Sequence, residues 1–213
     1  MGMRKAILYV LIFLFFPFSP VIASNQNTWL LIDLNNRTIT ALQGNQPLVQ
    51  FPVAIGKKNS PTPIGNWKVI HKSANWGNGF GSRFLGLDVP WGKYGIHGTN
   101  KPWSIGQRAS AGCIRMKNQD IERLYPLVKT GTPVVIIGNP FASWSWRPLF
   151  RDLKGADVVL VQERLSALGF YQGNADGIFG YSTELAVKNW QKTRKVEITG
   201  QIHATDYQAL GFR

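Results

Sequence analysis

The residues with chemical potential in this chain converge on its one cysteine. Cys113 lies in Ser110-Ala111-Gly112-Cys113-Ile114-Arg115-Met116, sixteen residues after the His97 of Tyr94-Gly95-Ile96-His97-Gly98-Thr99-Asn100. A thiol reacts as thiolate, and its ordinary pKa near ~8.5 leaves only a few per cent ionised at neutral pH, so a nucleophilic cysteine needs a base or a positive surrounding. His97 could be that base, since imidazole titrates near ~6.5. Arg115 could favour the thiolate or hold a substrate carboxylate. Gly112 lets the chain turn sharply, so the Gly112 and Cys113 amides could converge on one oxygen as an oxyanion hole. The bland alternatives are a buried structural cysteine and a satisfied core histidine. Against them stands an unpaired, glycine-framed thiol in a chain that reads as exported.

The export reading rests on the first residues. Residues 1–5 carry two positive charges, residues 6–16 form an apolar run, and Val21-Ile22-Ala23 before Ser24 resembles a small-residue cleavage site. The run falls short of the ~20 residues that a spanning helix needs; an uncleaved N-terminal anchor is the alternative. A lone cysteine in such a compartment cannot be half of an internal disulfide. The expected location is extracytoplasmic, in cell wall or periplasm, with the membrane involved only through the export signal.

Charge narrows the partners. The chain has 24 Lys and Arg against 11 Asp and Glu. Without Arg4 and Lys5 the net is +11, of which +9 falls in residues 24–138 and +2 in residues 139–213. Such a field attracts polyanions, which for an exported chain means wall polymers or lipid head groups and not nucleic acid, unless it serves solubility alone. His71 and His203 lack ligand spacing with Cys113, and there is no HExxH, paired CxxC or glycine-rich phosphate loop, so neither metal nor cofactor is expected. A monomer is the expected state.

The elements that must position Cys113 and His97 read as mostly β. Residues 29–33 and 37–41 flank Leu34-Asn35-Asn36 as a hairpin whose asparagines can take positive φ. Residues 48–55 form a strand in which Pro52 argues for an edge, and residues 67–70 resume the pattern after a turn-rich loop. Residues 73–86 are glycine-rich and read as a loop near a site; Trp76 and Arg83 within it could line a groove, packing or exposure being the alternative. Residues 118–129 read as a helix with Asn118 as N-cap, acidic residues in its first turn and Gly131 as its stop. Residues 132–137 form a buried strand. Residues 139–154 form an aromatic linker that should pack on something. A helical module of about 55 residues follows: one stripe from Val158 to Leu168 ended by Gly169, a second helix capped by Ser182 or Thr183, and a short third over 205–210.

At these motifs the chain resembles the L,D-transpeptidase (YkuD-type) catalytic domain. The resemblance runs over about residues 27–138 and includes Thr62-Pro63-Ile64-Gly65, the spaced His97-Gly98-Thr99, and Ser110 through Met116. It implies a mainly β, sandwich-like catalytic fold with one or two packed helices, acting on peptidoglycan stem peptides. In that scheme Cys113 attacks the carbonyl of the third stem residue and releases the terminal D-alanine. His97 is acid and base, with the Gly98 carbonyl orienting its ring. The acyl group then passes to the amine of another stem. Ser110 and Arg115, with Trp76 and Arg83, are the candidate substrate-binding residues. Ala111 departs from the pattern, since many members carry a second histidine there; substrate preference is what this puts in question. Water as acceptor would make the same site an L,D-carboxypeptidase, and a wall-binding protein with a relic cysteine is the noncatalytic alternative.

The last residues resemble a peptidoglycan-binding three-helix domain. Val161-Gln162-Glu163-Arg164-Leu165, Leu168-Gly169-Phe170-Tyr171 and Asp176-Gly177-Ile178-Phe179-Gly180, with Trp190-Gln191, match its pattern over about residues 155–211. The expected organisation is therefore a signal peptide over 1–23, the catalytic domain over 24–138, the linker over 139–154 and the wall-binding domain over 155–213. Tethering would raise the effective concentration of the polymer at the catalytic site.

Overall fold

The structure, a computed structural model, describes residues 27–74, 79–140 and 147–212; the export segment and Trp76 lie outside them. Among the described residues the first module is built on one curled sheet of eight strands in the order β3-β2-β1-β10-β5-β6-β7-β9. The strands are β1 (Thr28–Asp33), β2 (Thr38–Gln43), β3 (Gln46–Pro52), β5 (Gly65–Ser73), β6 (Phe84–Leu87), β7 (Tyr94–His97), β9 (Ile114–Arg115) and β10 (Pro133–Ile137). A two-stranded sheet joins β4 (Ile55–Gly56) to β8 (Arg108–Ser110). With the C-terminal helices this is the mainly β, then all-α chain that the sequence implied.

Alternation explains the sheet. Leu30 and Ile32 of β1, Ile39 and Ala41 of β2, and Val134 and Ile136 of β10 point into one fully or nearly fully buried core, where each large aliphatic side chain contributes about 1.5–3 kcal/mol. β5 lies at the fold of the sheet: residues 65–68 pair with β10, and the pairing with β6 begins at Val69 with a register shift by His71. Pro52 closes β3, an edge strand, where its missing N–H costs no ladder bond.

Several local expectations are corrected. The hairpin's positive φ, 54°, falls on Arg37, because the Asp33 carboxylate holds the asparagines instead: Oδ1 accepts from the Asn35 and Asn36 amides and Oδ2 from the Asn36 side chain. The glycine-rich stretch ends in β6, a four-residue strand with every residue buried. Helix α1 runs over Asn118–Leu124 and tightens into a 3-10 turn over Tyr125–Leu127, where Pro126 cannot continue the α-helical ladder. Its N-cap is Lys117 with no side-chain bond; Asn118 is used elsewhere.

The second module has α2 (Ala156–Ala167), α3 (Tyr181–Arg194) and α4 (Ala204–Ala209) around its own core of Val158, Leu165, Phe179, Val187, Trp190 and Tyr207. α3 is capped by Gly180, not by Ser182 or Thr183. Thr183 is fully buried against the Gln162 amide. The expected linker is divided between the modules: Asn139 and Pro140 stay on the first, their carbonyls accepting from Arg108, whereas residues 147–154 belong to the second, Leu149 being buried in its core and bridging Ile202 while Lys154 bridges Ile178.

Gln162 holds the module's turn together. Its Nε2 lies within 3.3 Å of the Tyr171 hydroxyl, Asp176 Oδ1, the Ile178 carbonyl and Thr183 Oγ1, and its Oε1 accepts from the Gly177 amide at 2.8 Å. Gln162→Leu keeps the volume but strands buried polar groups, each costing about 1–3 kcal/mol. A loss of about 2–4 kcal/mol is expected, read as a lower urea midpoint in the fluorescence of the buried Trp190.

Candidate active site

β7 and β9 run parallel, with His97 opposite Arg115 and Ile96 opposite Ile114. Cys113 immediately precedes β9, so the sheet sets the thiol one strand away from the histidine. The Met116 amide donates to the His97 carbonyl and locks that register.

His97 is 3 % exposed. Its Nδ1 lies 2.5 Å from the Gly98 carbonyl. A carbonyl can only accept, so Nδ1 carries the proton and the neutral ring keeps its lone pair on Nε2. Burial pushes its pKa below the ordinary 6.5; the Gly98 and Phe80 backbone bonds oppose that shift, and the Arg115 charge adds to it. The ring packs edge-on to Phe80 at 4.9 Å and stacks against Phe84 at 6.1 Å.

Cys113 is half-buried and free. Burial raises its thiol above the ordinary 9.0, opposed by a hydrogen bond with the Gly95 backbone and by Arg115. Arg115 therefore acts on both partners in one sense, favouring thiolate and disfavouring imidazolium. Among the described residues its Nε is buried without a hydrogen-bond partner, while Nη1 lies 3.4 Å from the Ala109 carbonyl.

The turn before Cys113 departs from expectation. Gly112 has φ 114°, and an added Cβ would sit 2.6 Å from the Tyr94 ring, so only glycine fits. Its amide, however, donates to Ser110 Oγ at 3.1 Å, which takes it out of the expected pair of oxyanion donors. Ser110 is 1 % exposed, and its hydroxyl donates to the Cys113 carbonyl at 2.5 Å. Ser110 thus closes the turn from within and does not face the cleft. Arg83 likewise serves its own loop: Nη1 donates to the Ser82 carbonyl at 2.7 Å and to the Ala74 carbonyl at 3.3 Å, and the guanidinium sits over the Tyr125 ring.

Three supporting residues were missed in the sequence. Tyr94 packs on Gly112, and Phe80 walls His97. Asn118 reaches across 36 positions, its Oδ1 accepting from the Ser82 amide at 3.2 Å. That oxygen sits where a Cβ on either Gly81 or Gly98 would be, 2.2 Å away in both cases. Asn118 thereby pins the loop that carries Phe80 against the corner after His97. No local signal marks such a contact, since an asparagine opening a helix reads as a cap. Gly81→Ala would need a left-handed alanine at φ 64° and a Cβ 2.5 Å from the Gly98 carbonyl carbon. A loss of about 2–4 kcal/mol is expected in denaturant unfolding.

The family model of the L,D-transpeptidase catalytic domain (YkuD) matches residues 27–136, and that of a peptidoglycan binding domain matches residues 154–204. The chain is 40% identical over 105 residues to a Bacillus subtilis protein named as L,D-transpeptidase YkuD, covering 49% of this chain and 63% of that one. It is 37% identical over 122 residues to an Escherichia coli protein named as L,D-transpeptidase YcfS, covering 52% of this chain and 36% of that one. The chain thus spans less than two-thirds of the length of these relatives. A solved Enterococcus faecium L,D-transpeptidase superposes with TM-score 0.47 at 25% identity, over 53% of this chain and 50% of that one. With the family match covering the curled sheet, His97 and Cys113 together, the chain belongs to the L,D-transpeptidase (YkuD) catalytic-domain family.

Proposed function

We propose that this protein is an exported L,D-transpeptidase that cross-links peptidoglycan through a thioester on Cys113. The observation that carries the reading is the β7–β9 pairing, which holds a histidine with its Nδ1 proton committed to Gly98 one strand away from a lone thiol. A tetrapeptide stem enters beside Cys113. As Sγ attacks the carbonyl of the third residue, its proton passes to His97 Nε2. The imidazolium then returns the proton to the departing D-alanine amine, leaving a thioester. The amine of a second stem attacks the thioester, His97 takes its proton, and the thiol is restored. Arg115 supplies positive charge beside the developing thiolate. The helical module holds the enzyme on the polymer, so the site meets stems at high local concentration.

The test is intact-protein mass spectrometry with a disaccharide tetrapeptide, followed by proteolytic mapping of any adduct. A tripeptide acyl adduct on the Cys113 peptide with release of D-alanine, then formation of a cross-linked dimer, is the expected result. Release of tripeptide without dimer would make the protein an L,D-carboxypeptidase. An unmodified Cys113 with wall binding retained would overturn the catalytic reading.

A further inference from the structure

The helical module is not merely tethered to the catalytic sheet; it shares a core and a cavity with it. Ala156 and Val159 of α2 are buried in the core of the first module, and Ala175 packs against it. At the junction Gly177 takes φ 72° and lies flat under Trp91: an added Cβ would fall 2.2 Å from the indole ring and 2.9 Å from Val159. Trp91 in turn packs edge-on to Trp67 at 5.2 Å, and its side chain lies beside the Tyr94 hydroxyl. Tyr94 is the ring that covers Gly112. A continuous line of contact therefore runs from the module's Asp176-Gly177 turn through Trp91 and Tyr94 to the residue before Cys113.

Beside this line the two modules border an open cavity of about 490 Å³, lined by Lys58, Pro61, Trp91, Tyr94, Ala111 and Lys154, among others. One wall comes from the catalytic module and the other from the helical one. Its electrostatics are one-sided. Arg147 is neutralised by Asp157, which it grips at 2.5 and 3.0 Å. Among the described residues the Lys58 and Lys154 side chains have no carboxylate or carbonyl partner, and both lysines line the cavity together with Trp91 and Tyr94. Ala111, two residues before Cys113, also lines it.

We propose that this inter-module cavity binds the free carboxylates of a wall stem peptide, Lys58 and Lys154 holding the anionic groups while Trp91 and Tyr94 cover the peptide's apolar atoms. The proposal rests on the stem-peptide reading of the site given above and adds to it that the helical module forms part of the peptide site. Charge complementarity selects the ligand: two cations at a cavity whose wall reaches Ala111, two residues before Cys113, fit a peptide with several carboxylates better than a neutral glycan. Binding requires no acylation, which allows the two readings to fail separately.

The experiment is equilibrium binding to the mature two-module chain, followed by tryptophan fluorescence, of a soluble tetrapeptide with free carboxylates and of the same peptide with its carboxylates amidated. Wild type is expected to bind the free acid about 10-fold more tightly than the amide. Lys58→Glu and Lys154→Glu are each expected to weaken the free acid about 10-fold while leaving the amide within about twofold. Gly177→Ala, which displaces Trp91 from the junction, should weaken both peptides. Iodoacetamide labelling of Cys113 in the Lys58 and Lys154 variants should not change, which checks that the turn bearing the thiol is intact. Equal affinity of wild type for acid and amide would overturn the proposal, as would a free-acid affinity indifferent to Lys154→Glu. A peptide that binds as expected but forms no thioester would leave the site standing and defeat the catalytic reading instead.

Discussion

Cys113→Ser is expected to lower acylation by a tetrapeptide stem by at least about 10⁴-fold with the fold intact. The substitution changes one atom on a half-buried side chain, so the Gly112 turn, its Ser110 bonds and the β7–β9 register have no reason to move. What changes is acidity. The ordinary values of imidazole and thiol, 6.5 and 9.0, stand about 2.5 units apart, and burial at this site moves them further from each other. The resting pair is therefore neutral, and proton transfer must accompany attack at a cost that the attraction between the two new charges only partly offsets. A thiol can meet that cost. A hydroxyl, a far weaker acid, adds several units to the same gap and is a poorer nucleophile when neutral. Single-turnover acylation followed by mass spectrometry measures the loss, and circular dichroism checks the fold. A serine variant that acylates within tenfold of wild type would mean that Cys113 is not the attacking group.

The second large effect concerns His97 and carries a pH signature. His97→Gln retains an N–H that can reach the Gly98 carbonyl in a pocket of similar size, but it cannot accept the thiol proton. A loss of about 10²–10⁴-fold in acylation at pH 7 is expected. In wild type the histidine's pKa is lowered, so the ring stays unprotonated to pH values below 6.5. Acylation should hold steady through neutral pH and fall only as acid protonates the ring. In the variant no base titrates, and the rate should instead follow the thiolate, rising tenfold per unit until the raised thiol pKa, above 9.0, is passed. The two profiles should converge at alkaline pH. Parallel profiles would mean that His97 only positions the turn. The same lowered pKa links folding to pH: the unfolded chain binds a proton at His97 more readily, so this residue's contribution to stability is complete above pH 6.5 and is lost as pH falls below it.

Much of this arrangement was legible because its signals are local. Cys113, His97 and Gly112 are marked by residue type and spacing, and Pro52 marks an edge because proline cannot donate. What escaped depends on partners far along the chain. Asn118 was read as a cap because asparagine at a helix start usually is one; its oxygen instead serves the loop at Ser82. Ser110 was read as facing substrate, yet its hydroxyl is consumed within three residues of itself, and only coordinates distinguish those directions. Gly86 made β6 look irregular, whereas the space beside this glycine is filled by the Phe84 ring at 3.3 Å and by His71. Residues 147–154 read as a linker because their periodicity is broken, although Leu149 anchors them by a bridge to Ile202, more than fifty residues later.

The strand order also sets the sequence of events by which the chain becomes active. β1 is flanked by β2, its neighbour in sequence, and by β10, about a hundred residues later, and β10 is also the link to β5. Until Pro133–Ile137 has joined, the hairpin half and the half bearing His97 and Cys113 are two sheets with unpaired edges. Closure therefore waits for a contact of long sequence separation, the kind whose loop entropy slows folding and prolongs exposure of open strands. A chain cut short before β10 would hold every residue of the reacting pair on a half-sheet left open at its β5 edge, so maturation of the site is tied to completion of the whole catalytic module.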